Sequence, residues 1–216
     1  IHATLHNAMQ AGTHALSCSL DLGRSESEVE LSDTGWRCRG EQFPWIGACK
    51  PRTIYYWTGV AFAPTMRFSG SLIKLVPTQW GAPTFEIDGI KMLPTQQISP
   101  YLDAQHKVEL IQPRSKLILD TCGGLGYFAA WCLAGGAAQV ISYEKNADVI
   151  WLRELNPWSP APSGALSLIE GDVTQAVATM PTASFDAILH DPPRFGIAGE
   201  LCSQTFYDAL ARVLKR

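Results

Sequence analysis

The spacing of hydrophobic and polar residues changes near residues 98–113. Before that point the chain carries short β-branched or aromatic runs separated by glycine, proline and turn residues, which is typical of antiparallel strands. A turn signal at Ser32-Asp33-Thr34-Gly35 predicts a hairpin whose returning strand covers 36–38. The other predicted strands cover 15–22, 28–31, 53–57, 67–76 and 85–93. Residues 1–97 are therefore predicted to form a small β-rich domain.

A single helix is predicted between the two halves of the chain. Ser99 stands in the capping position before Pro100, and the apolar residues Leu102 and Val108 follow at helical spacing. We assign 98–113 to this connecting helix or linker, and 114–216 to a second domain.

The second domain repeats a strand followed by a helix. The predicted strands cover 116–120, 139–143, 165–169 and 185–190, and the predicted helices 126–134, 147–155, 173–180 and 204–214. Solidly apolar strands that alternate with helices indicate a parallel sheet covered on both faces. The prediction is an α/β fold preceded by the β-rich domain.

Composition narrows the classes of function. Hydrophobic residues make up 46% of the 216 residues and charged ones 17%, which excludes a disordered chain, and a net charge of −3 gives no strong nucleic-acid signal. The six cysteines form no CxxC pair or Cys/His cluster, so we predict free thiols and no metal. No apolar run reaches the roughly 18 residues of a membrane span, and we expect a cytoplasmic protein without membrane partners. The chain begins at Ile1 rather than Met, so a preceding segment is compatible with it.

The strand at 116–120 ends in a glycine-rich turn that runs directly into a helix. Glycines let the backbone turn sharply and approach a ligand closely, and ligands of parallel sheets bind beyond the carboxyl ends of the strands. A ligand site is therefore predicted at this turn, with a plain strand-to-helix connection as the alternative. The turn consists of Asp120, Thr121, Cys122, Gly123, Gly124, Leu125 and Gly126.

Acidic residues follow each of the four predicted strands. Glu144 comes 24 positions after Asp120, where a carboxylate can accept both hydroxyls of a ribose. Asp172 follows the third strand, where an adenine amino group can donate to it, and Asp191 follows the fourth. Each acid alone is equally well explained as a helix cap or a solvated loop residue. Four in the same strand–helix frame are hard to assign to chance.

These motifs resemble the class I S-adenosylmethionine-dependent methyltransferases. The resemblance implies that Asp120, Gly124 and Gly126 contact the amino-acid portion of S-adenosyl-L-methionine, that Glu144 holds its ribose and that Asp172 faces its adenine. Binding of NAD is the alternative, because dinucleotide-binding folds share the glycine turn and the second-strand acid. The complete set of predicted cofactor-binding residues is Asp120, Thr121, Cys122, Gly123, Gly124, Gly126, Glu144, Lys145, Asp172, Val173 and Asp191.

The turn departs from the family pattern at one position. The usual motif is Asp-x-Gly-x-Gly-x-Gly, and Cys122 replaces its first glycine. We expect Cys122 to serve packing rather than to act as a nucleophile, because nothing nearby in the sequence would lower its pKa.

The fourth strand leads into His190-Asp191-Pro192-Pro193-Arg194-Phe195. This segment is similar to the Asn/Asp-Pro-Pro-aromatic motif of amino-methyltransferases, which implies that Asp191 and the Pro192 carbonyl orient an acceptor nitrogen. Arg194 stands in the aromatic position, where it can pair with a carboxylate or phosphate of the substrate. His190 is interpreted either as a proton acceptor near neutral pH or as a structural hydrogen-bonding residue. The predicted catalytic residues are His190, Asp191, Pro192 and Arg194.

Two further stretches resemble spermidine and spermine synthases: Glu86-Ile87-Asp88-Gly89-Ile90-Lys91-Met92-Leu93 and the segment 196–214. This resemblance implies aminopropyl transfer from decarboxylated S-adenosylmethionine as an alternative activity. Two departures weigh against it, since Cys-Gly-Gly-Leu-Gly replaces the glycine-rich loop of those enzymes and their catalytic aspartate aligns with His190. The pattern as a whole, including Ser-Leu-Asp-Leu-Gly at 19–23 and Pro-Thr-Phe-Glu-Ile-Asp-Gly at 83–89, most resembles a group of predicted methyltransferases, many archaeal, whose methyl acceptor is unknown. A non-catalytic binding module is the third hypothesis.

The resemblance also implies more strands than the chain contains. Class I methyltransferase sheets have seven strands, whereas four are predicted here before Arg216. Without a fifth strand after the helix that ends near Lys215, the fourth strand would be an open apolar edge. We expect further strands from additional chain or from another copy, so a homodimer is possible.

Overall fold

The computed structural model describes residues 2–216. Its first part consists of α1 (His2–Gln10) and the strands β1 (Ala15–Cys18), β2 (Ser27–Ser32), β3 (Gly35–Cys38) and β4 (Glu41–Pro44). The strands form an antiparallel sheet in chain order. Val29 and Leu31 are buried and pack with Leu5 of α1, whereas Glu28 and Glu30 between them face solvent. The hairpin prediction is confirmed, whereas α1 and β4 were not predicted.

Six more strands precede the connecting helix. They are β5 (Tyr55–Trp57), β6 (Phe62–Pro64), β7 (Met66–Phe68), β8 (Leu72–Val76), β9 (Thr84–Ile87) and β10 (Ile90–Lys91). The pair β5–β6 is a hairpin, and the others form an antiparallel sheet in the order β10-β9-β8-β7. The break expected at Gly70 within the run 67–76 is observed between β7 and β8, whereas the turn that divides the run 85–93 into β9 and β10 was not predicted. In the second turn, Asp88 and Gly89 both adopt positive φ angles, 49° and 81°, as two-residue hairpins require.

The connecting helix α2 (Pro100–Ile111) confirms the prediction, cap included. The Ser99 hydroxyl accepts a hydrogen bond from the Tyr101 N–H, and Gln112 ends the helix in the left-handed region. Helix α2 packs along the following helix at the edge of the site described below.

The remaining elements form a parallel sheet with helices on both faces. They are β11 (Leu117–Asp120), α3 (Tyr127–Ala134), β12 (Gln139–Glu144), α4 (Ala147–Leu155), β13 (Leu166–Glu170), α5 (Val173–Thr179), β14 (Ala187–Leu189), α6 (Phe195–Ala198), a 3-10 turn (Gly199–Cys202) and α7 (Gln204–Val213). The strand order is β13-β12-β11-β14, which confirms the predicted α/β fold. The order reverses between β11 and β14, and such a switch point is where open parallel sheets bind ligands.

Both faces of the parallel sheet are covered by apolar side chains. Val108 of α2 and Cys132 of α3 pack on Ile118 and Val140. On the opposite face, α5 and α7 enclose Leu119 of β11. These two layers hold the carboxyl ends of the strands at one edge of the domain.

A third cluster joins the second antiparallel sheet to the parallel one. Ile73 and Phe85 of that sheet pack with Leu125 of the glycine-rich turn and with Val149 and Leu152 of α4. The domain boundary at residue 97 stays a prediction, and this apolar contact crosses it. Because of this apolar contact, β9 lies directly opposite the glycine-rich turn.

The chain after α7 pairs with the segment that leads into β14. Leu214 forms a parallel bridge with Phe185, and the Lys215 N–H donates to the Phe185 carbonyl at 2.8 Å. The expectation of further strands beside β14 stays a prediction. Among residues 2–216, no helix combines the length and the apolar composition that a membrane crossing needs.

Candidate functional site

A cavity of about 670 Å³ opens at the carboxyl ends of the parallel strands. This volume lies within the usual range of small-molecule sites. Phe85, Ile87, Met92 and Leu93 close the side that faces the second antiparallel sheet. The predicted residues in the wall are Thr121, Cys122, Gly123, Gly124, Glu144, Lys145, Asp172, Val173, Asp191 and Pro192, whereas Asp120, Gly126, His190 and Arg194 are not part of it.

Glu144 is fixed at the end of β12 by the backbone of two loops. Its Oε2 accepts from the Gly124 N–H and its Oε1 from the Asn146 N–H, each at 2.9 Å. Burial raises the pKa of Glu144, although these backbone donors oppose the shift. Because a carboxylate offers about four acceptor positions, both oxygens can still accept a hydrogen bond from a ligand hydroxyl.

Asp120 lies behind the glycine-rich turn rather than in the cavity wall. Its Oδ2 accepts from the Ser142 hydroxyl at 2.8 Å, and its Oδ1 is buried without a hydrogen-bond partner. Burial raises the pKa of Asp120 to about 6. Asp120 therefore supports the turn from beneath, and the contact with the cofactor stays a prediction.

Arg153 of α4 is the neighbour of Asp120 that sequence reasoning missed. Its side chain is buried, its Nη1 donates to the Ser142 hydroxyl at 3.4 Å, and its Nε and Nη2 have no partner among the described residues. Burial lowers the pKa of Arg153, and the carboxylates of Asp120 and Glu144 oppose that shift. A signal existed in the sequence, because Arg153 follows Val149 by four positions and so lies on the apolar face of α4.

Arg153 and Ser142 explain why two positions of the turn are occupied by glycine. A Cβ on Gly126 would lie 2.5 Å from the Arg153 Cζ, and one on Gly123 would lie 2.5 Å from the Ser142 Oγ. Gly126 additionally has a φ of 78°. These positions require glycine because the guanidinium and the Ser142 hydroxyl occupy the space beneath the turn. Gly123 and Gly124 both line the cavity, and Gly124 has a φ of 48° with its N–H bound to Glu144.

Asp172 caps α5 and pairs with a lysine. Its Oδ1 accepts from the backbone N–H of Thr174 at 2.9 Å and from the Thr174 hydroxyl at 2.6 Å. Its Oδ2 lies 2.8 Å from Lys145 Nζ, which is also 3.7 Å from Glu200. Partial burial raises the pKa of Asp172, but Lys145 and Thr174 outweigh it and the net shift is downward. Asp172 is therefore a helix cap, which was the alternative explanation for this acid, and it also lines the cavity.

Asp191 lines the same cavity as Glu144 and makes an ion pair. Its Oδ2 is 2.7 Å from Lys107 Nζ, and the same ammonium is 3.0 Å from Asp103 Oδ2. The ammonium also lies 5.6 Å from the centre of the Phe128 ring. Asp103 and Lys107 both belong to α2, so the connecting helix forms part of the site.

His190 and Arg194 point away from the cavity. The His190 Nδ1 is 2.7 Å from the Thr121 hydroxyl, its Nε2 is 3.1 Å from the Leu201 carbonyl, and its ring packs against Phe206. Burial lowers the pKa of His190. Of its two interpretations, the arrangement matches the structural hydrogen-bonding residue. Arg194 precedes α6 and does not reach the wall, so the structure brings neither residue to the predicted acceptor position.

Cys122 lines the cavity as a protonated thiol. Burial raises its pKa to about 12, which agrees with a packing role and not with a nucleophile. All six cysteines are free thiols. Residues 2–216 contain no group of three or more histidine, cysteine, aspartate or glutamate side chains that could hold a metal ion.

No family model matches the chain. An uncharacterised protein of Methanocaldococcus jannaschii is 42% identical over 144 residues, which cover 66% of this chain and 49% of that protein. The chain thus spans about half the length of this relative, whose archaeal origin agrees with the resemblance stated above.

Solved structures show the fold. A spermidine synthase in complex with the transition-state analogue AdoDATO matches with a TM-score of 0.57 at 20% identity, over 76% of this chain and 61% of that one. S-adenosylmethionine-dependent methyltransferases also match, among them one from Mesorhizobium loti with a TM-score of 0.37 at 17% identity, over 52% of this chain and 49% of that one. The chain therefore has the Rossmann-like α/β fold of a spermidine synthase, with an antiparallel β-rich region before it.

Proposed function

We propose that the cavity binds S-adenosyl-L-methionine and that the protein transfers its methyl group to a nitrogen of an acceptor. The observation that carries the proposal is the placement of Glu144, Asp172 and the backbone of Gly124 on one wall, at the ends of three adjacent strands. These are the groups that a ribose, an adenine and an amino-acid moiety would each need. The volume and the free acceptor positions of Glu144 fit such a cofactor.

The cofactor, when bound, supplies a methyl group activated by a sulfonium charge. Glu144 would accept from the ribose hydroxyls and Asp172 from the adenine amino group, while Phe85 and Met92 keep water from the opposite side of the cavity. Asp191 and the Pro192 carbonyl would orient the lone pair of the acceptor nitrogen. A correctly aligned lone pair contributes more to such a displacement than a strong base does.

Aminopropyl transfer is the second candidate, favoured by the TM-score of 0.57 with spermidine synthase. It would use the same cavity and decarboxylated S-adenosylmethionine. The two reactions leave different by-products, since methyl transfer releases S-adenosylhomocysteine and aminopropyl transfer releases methylthioadenosine. Incubation with each cofactor and an amine panel, followed by chromatography, therefore separates them.

Calorimetric titration tests the cofactor site. We expect S-adenosylmethionine to bind the wild-type chain and Glu144→Ala to weaken binding by roughly tenfold to a hundredfold, through loss of two charge-assisted hydrogen bonds. The matched control is Glu154→Gln, an exposed glutamate on α4. Equal affinity in Glu144→Ala and wild type, or no binding to the wild-type chain, would contradict the proposal.

A further inference from the structure

The cavity wall carries many carboxylates, which by itself suits a polycationic acceptor. Its acidic residues are Asp103, Glu144, Asp148, Asp172, Asp191 and Glu200, and Lys145 is the one basic residue in the described wall. Each of these carboxylates nevertheless has a partner within the chain. Glu144 accepts the two backbone N–H groups described above.

Cations from neighbouring elements pair with the acids on the cofactor side. Lys145 lies between Asp172 and Glu200, at 2.8 and 3.7 Å. Asp148 pairs with Arg67 at 3.8 Å, and the Arg67 guanidinium itself stacks on a tryptophan ring. None of these three acids is a free anchor for an external ammonium group.

Asp103 and Asp191 line the cavity on the side proposed for the acceptor, and both are paired with Lys107, which is not itself part of the wall. Lys107 Nζ lies between Asp103 and Asp191, at 3.0 and 2.7 Å, above the ring of Phe128. Two carboxylates and an aromatic face are the surroundings in which a protein binds a primary ammonium group. The two carboxylates raise the pKa of Lys107 although partial burial opposes them, so the ammonium stays charged at neutral pH.

We propose that Lys107 is a specificity-determining residue: its ammonium occupies the position between Asp103 and Asp191 that an ammonium group of a diamine would need, so that a diamine is excluded and the acceptor presents an uncharged nitrogen to Asp191. This inference deepens the proposed function and rests on it, because it takes the Asp191 side of the cavity as the acceptor site. The acceptor class is then a neutral nitrogen, such as an amide or an aromatic amine, rather than an alkyl diammonium chain.

Tethering makes the exclusion effective. Lys107 is attached to the same helix as Asp103, four positions along, so it competes with any external amine at the millimolar effective concentration of a short tether. Its side chain is 39% exposed and that of Asp191 44%, which limits the strength of the pair. We therefore expect a moderate discrimination of about tenfold rather than an absolute one.

Binding of 1,4-diaminobutane, measured by calorimetry in low salt, tests the inference. Lys107→Met removes the ammonium and keeps an unbranched apolar stem, Lys107→Arg keeps the charge, and Lys50→Met removes an exposed lysine elsewhere. We expect Lys107→Met to bind the diamine about tenfold, and at least threefold, more tightly than wild type. Lys107→Arg and Lys50→Met should bind it as wild type does. Lys107→Gln replaces Lys107→Met if the latter does not fold.

A gain of less than threefold in the neutral variant, or an equal gain in Lys107→Arg or Lys50→Met, would overturn the inference. Titration of the wild-type chain with S-adenosylmethionine is run alongside. If the cofactor does not bind but the neutral variant gains the diamine, the proposed function fails and the role of Lys107 in filling the ammonium position stands. If the cofactor binds and the diamine gain is absent, only the inference fails.

Discussion

The two sides of the cavity are built in different ways. On the cofactor side, the wall where S-adenosylmethionine is proposed to bind, Glu144 is held by backbone N–H groups, and Asp120 and Arg153 support the turn from a fully buried position. On the acceptor side, the wall where the methyl acceptor is proposed to bind, Asp191 is held by one partly exposed ion pair with Lys107. Backbone donors and buried charges allow little rearrangement, whereas an exposed pair exchanges partners at low cost. The comparison indicates a rigid cofactor side and an adaptable acceptor side.

Removal of the buried Arg153 guanidinium, which supports the cofactor side, should have the largest effect of the substitutions considered. Arg153→Met removes the hydrogen bond to Ser142 and the positive charge that acts on the carboxylates of Asp120 and Glu144, and a buried charge left without compensation costs roughly 3–5 kcal/mol. We expect a decrease of that size in the free energy of unfolding, measured by urea titration at pH 7. Arg114→Met, at an exposed position, is the control. A loss below about 1 kcal/mol would show that the guanidinium does not support the turn.

The buried carboxyl of Asp120 should make stability depend on pH. Its pKa is about 6 in the folded protein against 3.8 for the free side chain, so the folded state retains a proton that the unfolded state releases between these values. Stability conferred by this group is therefore fully present only below the unfolded pKa of 3.8 and is lost as the pH rises through 6, by about 3 kcal/mol in total.

Comparison of wild type with Asp120→Asn isolates this contribution. The asparagine variant cannot titrate, so the difference in unfolding free energy between the two proteins should change by about 2 kcal/mol from pH 4 to pH 6.5, in favour of the variant at the higher pH. Glu154→Gln serves as the control for a surface carboxyl. A difference that stays constant across this range would mean that Asp120 is ionised in the folded protein throughout.

The site contains residues whose positions the sequence could predict and residues whose positions it could not. Glu144, Asp172 and Gly124 each belong to a strand–loop–helix unit, so their places follow from local pattern and from the parallel topology. Arg153 and Lys107 do not, because their roles depend on packing of one element against another. Lys107 lies 84 positions from Asp191, and no periodicity links the two.

The same limit applies to His190 and Arg194. Both stand next to Asp191 in the sequence, but the backbone after β14 directs their side chains toward Thr121 and toward solvent rather than into the cavity. Residues adjacent in a motif point in different directions once the loop leaves the strand. A motif therefore identifies the segment that forms the acceptor side more securely than it identifies each contacting residue.

Asp191→Asn changes only the acceptor side, and its expected effect is the smallest of the three. The amide keeps the shape of the side chain but donates as well as accepts, so it orients an acceptor nitrogen less well, and Lys107 keeps only its ion pair with Asp103. We expect the rate of methyl transfer to fall by about tenfold, or 1.4 kcal/mol, once the acceptor is identified by methyl label. The affinity for S-adenosylmethionine should stay within about threefold of wild type, because the cofactor side is built from other residues. Equal losses in rate and in cofactor affinity would place Asp191 among the cofactor-binding groups and remove the distinction between the two sides.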